Sequence, residues 1–218
     1  MIAKSTQFLP NSRVRVRDDA GLSLMEVIIA IAIISVVAMS SVSLTISGIA
    51  SASMQERRQI AVTIASGAME NISAQTVATL YDGRRQADVQ AAFTANSTVP
   101  GIAAVGGTSP TYARWDAGAL SSSIAQVPVT SPAVRLSGTL YSTTTLIGPC
   151  YQPTAGGDCA TLSSHPDFTD VVPGYLSLIR VVVVVRWTAG NICTTSGCYY
   201  STTTLIDPNK DLEWATRV

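Results

Sequence analysis

From Val27 to Met54 this chain carries no charged side chain, and residues 27–39 read Val-Ile-Ile-Ala-Ile-Ala-Ile-Ile-Ser-Val-Val-Ala-Met. A bilayer core is crossed by roughly 20 apolar residues in a helix, so the run is long enough to span with its flanks among the headgroups. Its β-branched residues slightly disfavour helix in water. In lipid no water satisfies the backbone, and a single segment has only the helix open to it. The sequence therefore predicts one membrane-embedded helix, with a transmembrane part at about 25–50 and a single acid, Glu26, at its start.

Proline placement extends the prediction to the whole chain. Pro10 is followed by none until Pro100, and eight more follow, the last being Pro208. Proline removes a hydrogen bond and clashes with the preceding turn inside a helix, so residues 11–99 are free to be helical and the later part favours strands and loops. Beyond the apolar run, Ile60, Ile64, Ala68 and Ile72 recur every four residues, with Glu56, Arg57, Gln59, Glu70 and Gln75 largely elsewhere. This is an amphipathic pattern. A helix from about Ser23 to Leu80 would be on the order of 85 Å long at about 1.5 Å per residue, far more than a bilayer, so its second half must pack on something. Gly48 and Gly67 are the places where it would bend, melt locally or be closely approached.

Composition excludes several functions. Only 13% of residues are charged, the net charge is zero and aromatics make up 6%, which leaves neither a basic footprint nor a stacking platform for nucleic acid. Lys4, Arg13, Arg15 and Arg17 precede the apolar run, opposed by Asp18 and Asp19, while Glu56, Arg57 and Arg58 follow it. The excess of cations before the run keeps the first 21 residues in the cytoplasm and exports the C-terminal part. A cleaved secretory signal is the competing reading, and Ala50-Ser51-Ala52 supplies small residues for it. The run is longer than the usual 7 to 15 residues of a signal core, however, and Glu26 stands where signals carry cations.

Gly21-Leu22-Ser23-Leu24-Met25-Glu26-Val27, followed by the apolar run, resembles the class III leader junction of type IV pilins and pseudopilins. The resemblance covers residues 13 to about 60. It implies a cytoplasmic leader over 1–21, cut by a prepilin peptidase between Gly21 and Leu22, with methylation of the new N-terminus. Glu26 becomes the fifth mature residue and pairs with the N-terminal amine of a neighbouring subunit. Leu22 stands where the family usually has Phe, and Ser23 where Thr is commoner. Physical reasoning reaches Glu26 independently: an acid in a membrane helix is costly and needs a partner, and the amine of Leu22 is four residues away. The helix dipole also favours an acid in the first turn, which is the purely local reading.

The resemblance implies an α+β pilin-like fold, with a long N-terminal helix over 22–80 packed on a C-terminal antiparallel β-sheet within 81–218. Tyr81-Asp82-Gly83 reads as a turn before a short helix at 85–93, and residues 100–110 have the composition of a surface connection. Leu176 to Thr188, dense in valine and flanked by Pro173-Gly174 and Gly190, reads as the central strand, buried on both faces and on one of them against the long helix. Tyr141-Ser-Thr-Thr-Thr-Leu-Ile-Gly-Pro149 is echoed by Tyr200-Ser-Thr-Thr-Thr-Leu-Ile-Asp-Pro208, two similarly placed strands ending in turns.

All four cysteines, Cys150, Cys159, Cys193 and Cys198, lie in the part predicted to be exported, which suits disulfides. A meander of 139–147, 176–188 and 199–206 would put the first two beyond one end of the sheet and the last two beyond the other. That favours the local pairs 150 with 159 and 193 with 198. Neither pair has the Cys-x2-Cys spacing most typical of structural zinc. His165-Pro166-Asp167 matches a co-chaperone tripeptide, but among loop-formers rather than between helices. Asp167 and Asp170 make only an unspecific cation pattern, and a polar exposed loop is the plainer reading. No catalytic residue, metal or cofactor is expected.

The functional expectation is a structural subunit of a type IV pilus or secretion pseudopilus, closest to a minor, PilV-type pilin. Its partners would be the prepilin peptidase, other pilin subunits, the inner-membrane assembly platform and the lipid bilayer, with no nucleic acid. It would begin as a single-pass protein of the cytoplasmic membrane and end in a cell-surface fibre. The alternative is a membrane-anchored or secreted surface or adhesion protein with no filament role.

Overall fold

The β-branched apolar run does fold as helix. In the computed structural model, which describes residues 23–99, 110–165, 168, 171–188, 193 and 197–208, α1 runs unbroken over Leu24–Ser73. Gly48 and Gly67 interrupt nothing, and beyond the helix's own nearby backbone nothing lies within 4 Å of a Cβ built on either. Replacing Gly67 with Ala should therefore stabilise the protein by about 0.5–1 kcal/mol, because Ala loses less conformational freedom on entering the helix. A urea midpoint that falls instead would show that something packs on the missing side chain.

The helix stops seven residues before Leu80, where the pattern had placed its end. Thr76 turns extended at φ −75°, ψ 151°, and a single 3₁₀ turn follows over Val77–Thr79. Local hydrogen bonding competes with helix here: the Thr79 hydroxyl donates to the Thr76 carbonyl at 3.0 Å. Leu80 is still buried, so apolar periodicity alone did not mark the break.

The chain forms two compact units, residues 1–50 and 51–218. In the second, the helix packs on a four-stranded antiparallel sheet ordered β1-β2-β3-β4, from Thr130–Leu136, Thr139–Pro153, Tyr175–Trp187 and Cys198–Ile206. The fold is α+β. The most deeply buried helix residues are Ala61, Ala65 and Ile72, with Ile60, Ile64 and Ala68 partly buried beside them. A strict four-residue repeat drifts away from the 3.6-residue turn, and steps of four and three stay on one face. The contact therefore centres on two alanines, whose small side chains let the sheet approach closely.

Strand β3 is central, and Val181 to Val185 are completely buried. Ile179, Val181, Val183, Val185 and Trp187 join the core containing α1. Val182 and Val184 face the other way, onto Val89 and Ala92 of α2 (Gln86–Ala95), together with Leu146 and Val129. The two echoed segments flank β3 on either side. Tyr141 lies opposite Trp187, whereas Tyr200 lies opposite Val185, an even offset that puts both tyrosines on the α1 side.

Two expectations need correction. The first echoed segment does not end in a turn at Pro149: β2 continues to Pro153, so Cys150 lies inside the strand, opposite Leu178, rather than beyond its end. Strand β1 was not anticipated. It contains Pro132, which argues against a strand, and the register shifts between Ser131 and Val134 where the proline sits. An edge strand with a bulge is where proline is tolerated. Residues 100–109, 167 and 170 lie outside the described residues.

Candidate functional site

The first turn of α1 is built around Ser23 and Glu26. The Glu26 and Val27 amides both donate to the Ser23 carbonyl, at 2.9 and 3.2 Å. Glu26 is exposed, in the first turn of the helix, where the positive end of the helix dipole favours an acid. Gly21 and Leu22, the expected cleavage and methylation site, lie outside the described residues. From Ser23 to Ala52 every residue is exposed, and the helix is long and apolar enough to cross a membrane.

That surface is less polar than its serines and threonines suggest. Ser35, Ser40, Ser41, Thr45 and Ser47 each donate their hydroxyl to the carbonyl four residues back, at 2.8–3.0 Å. Each such bond removes a donor that lipid could not satisfy.

The two disulfides join Cys150 to Cys159 and Cys193 to Cys198, with Cα separations of 5.5 and 5.2 Å. Both are the expected local pairs. Each closes a short loop and is worth about 2–3 kcal/mol in the chain-entropy account. The first is buried beside Leu178 and sits next to a cluster of rings: Tyr151 packs on Phe168 at 4.6 Å, and Tyr112 meets Tyr151 edge-on at 6.1 Å. The His165 amide donates to Leu162, and its carbonyl accepts from the Tyr112 hydroxyl. His165 thus belongs to a loop closure. Among the described residues, no three His, Cys, Asp or Glu side chains come together as metal ligands.

Two buried cations were not anticipated as structural elements. Arg84 is 1% exposed and donates to the carbonyls of Val127 and Thr145, at 3.1 and 2.7 Å. Burial lowers its pKa to about 10. Arg180, inside the valine-rich β3, donates to Pro110 and Cys159 carbonyls. In Arg180 the visible signal was a cation within a strand buried on both faces. For Arg84 there was none, because Arg84-Arg85 beside a turn reads as ordinary surface charge. Arg85 fits that reading, pairing with Asp88 at 2.6 Å, and both line a cleft of about 600 Å³ together with Ala91, Ala92, Ala95 and Ser123.

Beside Arg84, burial pushes the Tyr81 phenol up to about 12, against the opposing pull of Arg114 and Arg84. The Arg114 guanidinium lies 5.6 Å from its ring centre. Above its unfolded value of 10.0 the native phenol still holds a proton that the unfolded one has lost. Its contribution to stability is therefore complete below pH 10 and declines up to about 12. Arg84 works in the opposite sense, since its unfolded side chain keeps its proton longer. Alkaline absorbance titration should show one phenol ionising near 12 that Tyr81→Phe removes. Loss of only a step near 10 would contradict this burial.

Comparisons with protein-family models, with curated proteins and with solved structures return no match. The functional reading rests on the residues and on the fold.

Proposed function

We propose that this chain is a structural subunit of a filament of the type IV pilus or pseudopilus kind, of the minor-pilin type, and not an enzyme. The observation that carries the reading is an exposed acid, Glu26, in the first turn of a helix whose apolar first part is wholly exposed and whose second part is built into a globular domain. In such a subunit the apolar segment holds the protein in the membrane before assembly and becomes the packing element of the fibre afterwards. Glu26 then meets the free amine of Leu22 on a neighbouring subunit. An acid desolvated among apolar helices must be paired to be tolerated, and this pairing would fix the stagger between adjacent subunits.

The test is N-terminal sequencing of the membrane-bound protein. Mature chain beginning at Leu22 with a methylated amine is expected, and replacing Gly21 should leave an uncut precursor. A mature protein beginning after Ala52 would instead establish secretion through a signal peptide. Glu26→Val should be cut normally yet fail to enter filaments. Normal incorporation of that variant would sink the intersubunit ion pair while leaving the cleavage reading intact.

A further inference from the structure

The hairpin joining β1 to β2 carries its apolar side chains outward. Leu136 lies opposite Thr139 across a two-residue turn, with Ser137 and Gly138 at φ 45° and 74°, the left-handed values of a tight hairpin. Val134 and Leu136 are 50% and 40% exposed on one face, and Leu140 is 46% exposed on the other, opposite Arg135. Arg135 donates to the Gly138 carbonyl at 3.2 Å, so a guanidinium sits at the turn itself.

The position of this tip follows from the helix beside it. The Tyr141 hydroxyl donates to the Arg57 carbonyl at 3.4 Å. Further along, Thr202 lines one depression with Met69 and Glu70, and Thr202, Val183 and Thr145 are neighbours across the sheet. Advancing along β2 therefore means advancing along the helix. In the other direction, Tyr141 to Gly138 covers about 10 Å at about 3.3 Å per residue. Arg57 back to Ser51 covers about 9 Å at 1.5 Å per residue. The turn reaches the level of Ser51, the first residue of this compact unit.

We propose that the β1–β2 hairpin is a lipid-contacting tip, with Val134, Leu136 and Leu140 entering the headgroup layer and Arg135 meeting lipid phosphate. Two features favour a bilayer over a protein partner. The apolar residues lie on both faces of the hairpin, as in an element that is surrounded rather than one that docks by a side. The cation lies at the turn between them, where its stem can lie along apolar surface and its head can reach phosphate. The proposal rests on the membrane reading of residues 24–50, and its test separates the two.

The full chain is placed, one copy per disc, in nanodiscs of phosphatidylcholine and phosphatidylglycerol containing a lipid with a photoreactive group at the start of its acyl chain. After illumination, labelled peptides are located by mass spectrometry. Lipid adducts are expected on residues 134–140 as well as on 24–50. Changing Val134, Leu136 and Leu140 together to Ser should abolish the first set and keep the second, with the fold retained, as circular dichroism checks, since none of the three belongs to the buried core. Adducts on 24–50 and none on 134–140 would overturn the hairpin proposal alone. No adducts on 24–50 would overturn the membrane reading beneath it. In discs holding two copies, loss of the lipid adducts on 134–140 with those on 24–50 retained would show that a second subunit covers this tip and refute the lipid contact.

Discussion

Gly148→Ala should leave a protein that scarcely folds. Gly148 lies within β2, opposite Arg180, and the segment carrying Thr111 and Tyr112 crosses directly over it. A Cβ built there would overlap the Tyr112 carbonyl oxygen and lie 2.9 Å from Thr111 Cγ2. The first obstacle is backbone and cannot rotate aside. That backbone is also held in place, since the Tyr112 amide donates to Pro149 at 3.0 Å and its hydroxyl accepts from Leu162 at 2.8 Å. A methyl group would have to unseat the crossing segment, and with it the rings packed beside the Cys150 disulfide. The expected cost is about 4 kcal/mol or more, a large part of the 5–15 kcal/mol that holds a typical domain together. Urea unfolding of the oxidised protein measures it. A loss below about 1 kcal/mol, the scale of an ordinary surface change, would mean that the crossing is not as close as described.

The second large effect is expected at Arg84, where an unusual buried cation has backbone carbonyls rather than a carboxylate for partners. Arg84→Ala should cost about 3–5 kcal/mol, through a cavity and two buried carbonyls left without donors. Arg84→Met would fill most of the space yet leave Val127 and Thr145 unsatisfied, so it should fall between Ala and the native residue. Arg84→Lys keeps a charge but replaces a planar fork with a single point donor, and should recover only part of the loss. Equal stability of the Met variant and the native protein would show that the hydrogen bonds contribute nothing net. Either result bears on function, because these bonds tie the segment after α1 to β2 and to the loop before β1.

What could be read from the sequence was what short stretches determine. Valine on both faces of β3 requires cover on both sides, and α1 and α2 supply it. The apolar run dictated helix, and the Gly21 and Glu26 signature suggested a use for it. The disulfide pairs followed from strand order, although Cys150 turned out to lie within β2 and Cys198 to be the first residue of β4, opposite Trp187, rather than beyond the ends of the sheet. Long-range partners were not legible. Arg84 reaches acceptors 43 and 61 residues away, and nothing near residue 84 announces them. Strand β1 was hidden by Pro132, whose tolerance depends on being at an edge. The buried face includes Ile72 as expected but centres on Ala61 and Ala65, one position beyond Ile60 and Ile64, because the sheet needs small residues where it approaches the helix.

The back-bonded hydroxyls of α1 have a consequence for movement between environments. A helix leaving lipid for a protein fibre normally has to find new partners for every polar group it exposes. Here Ser35, Ser40, Ser41, Thr45 and Ser47 carry their acceptors with them, on the same helix. In the proposed subunit these five hydrogen bonds would not be exchanged on the way, so extraction from lipid into a fibre would carry no polar cost at them, and Glu26 would be the group whose surroundings decide where the helix comes to rest.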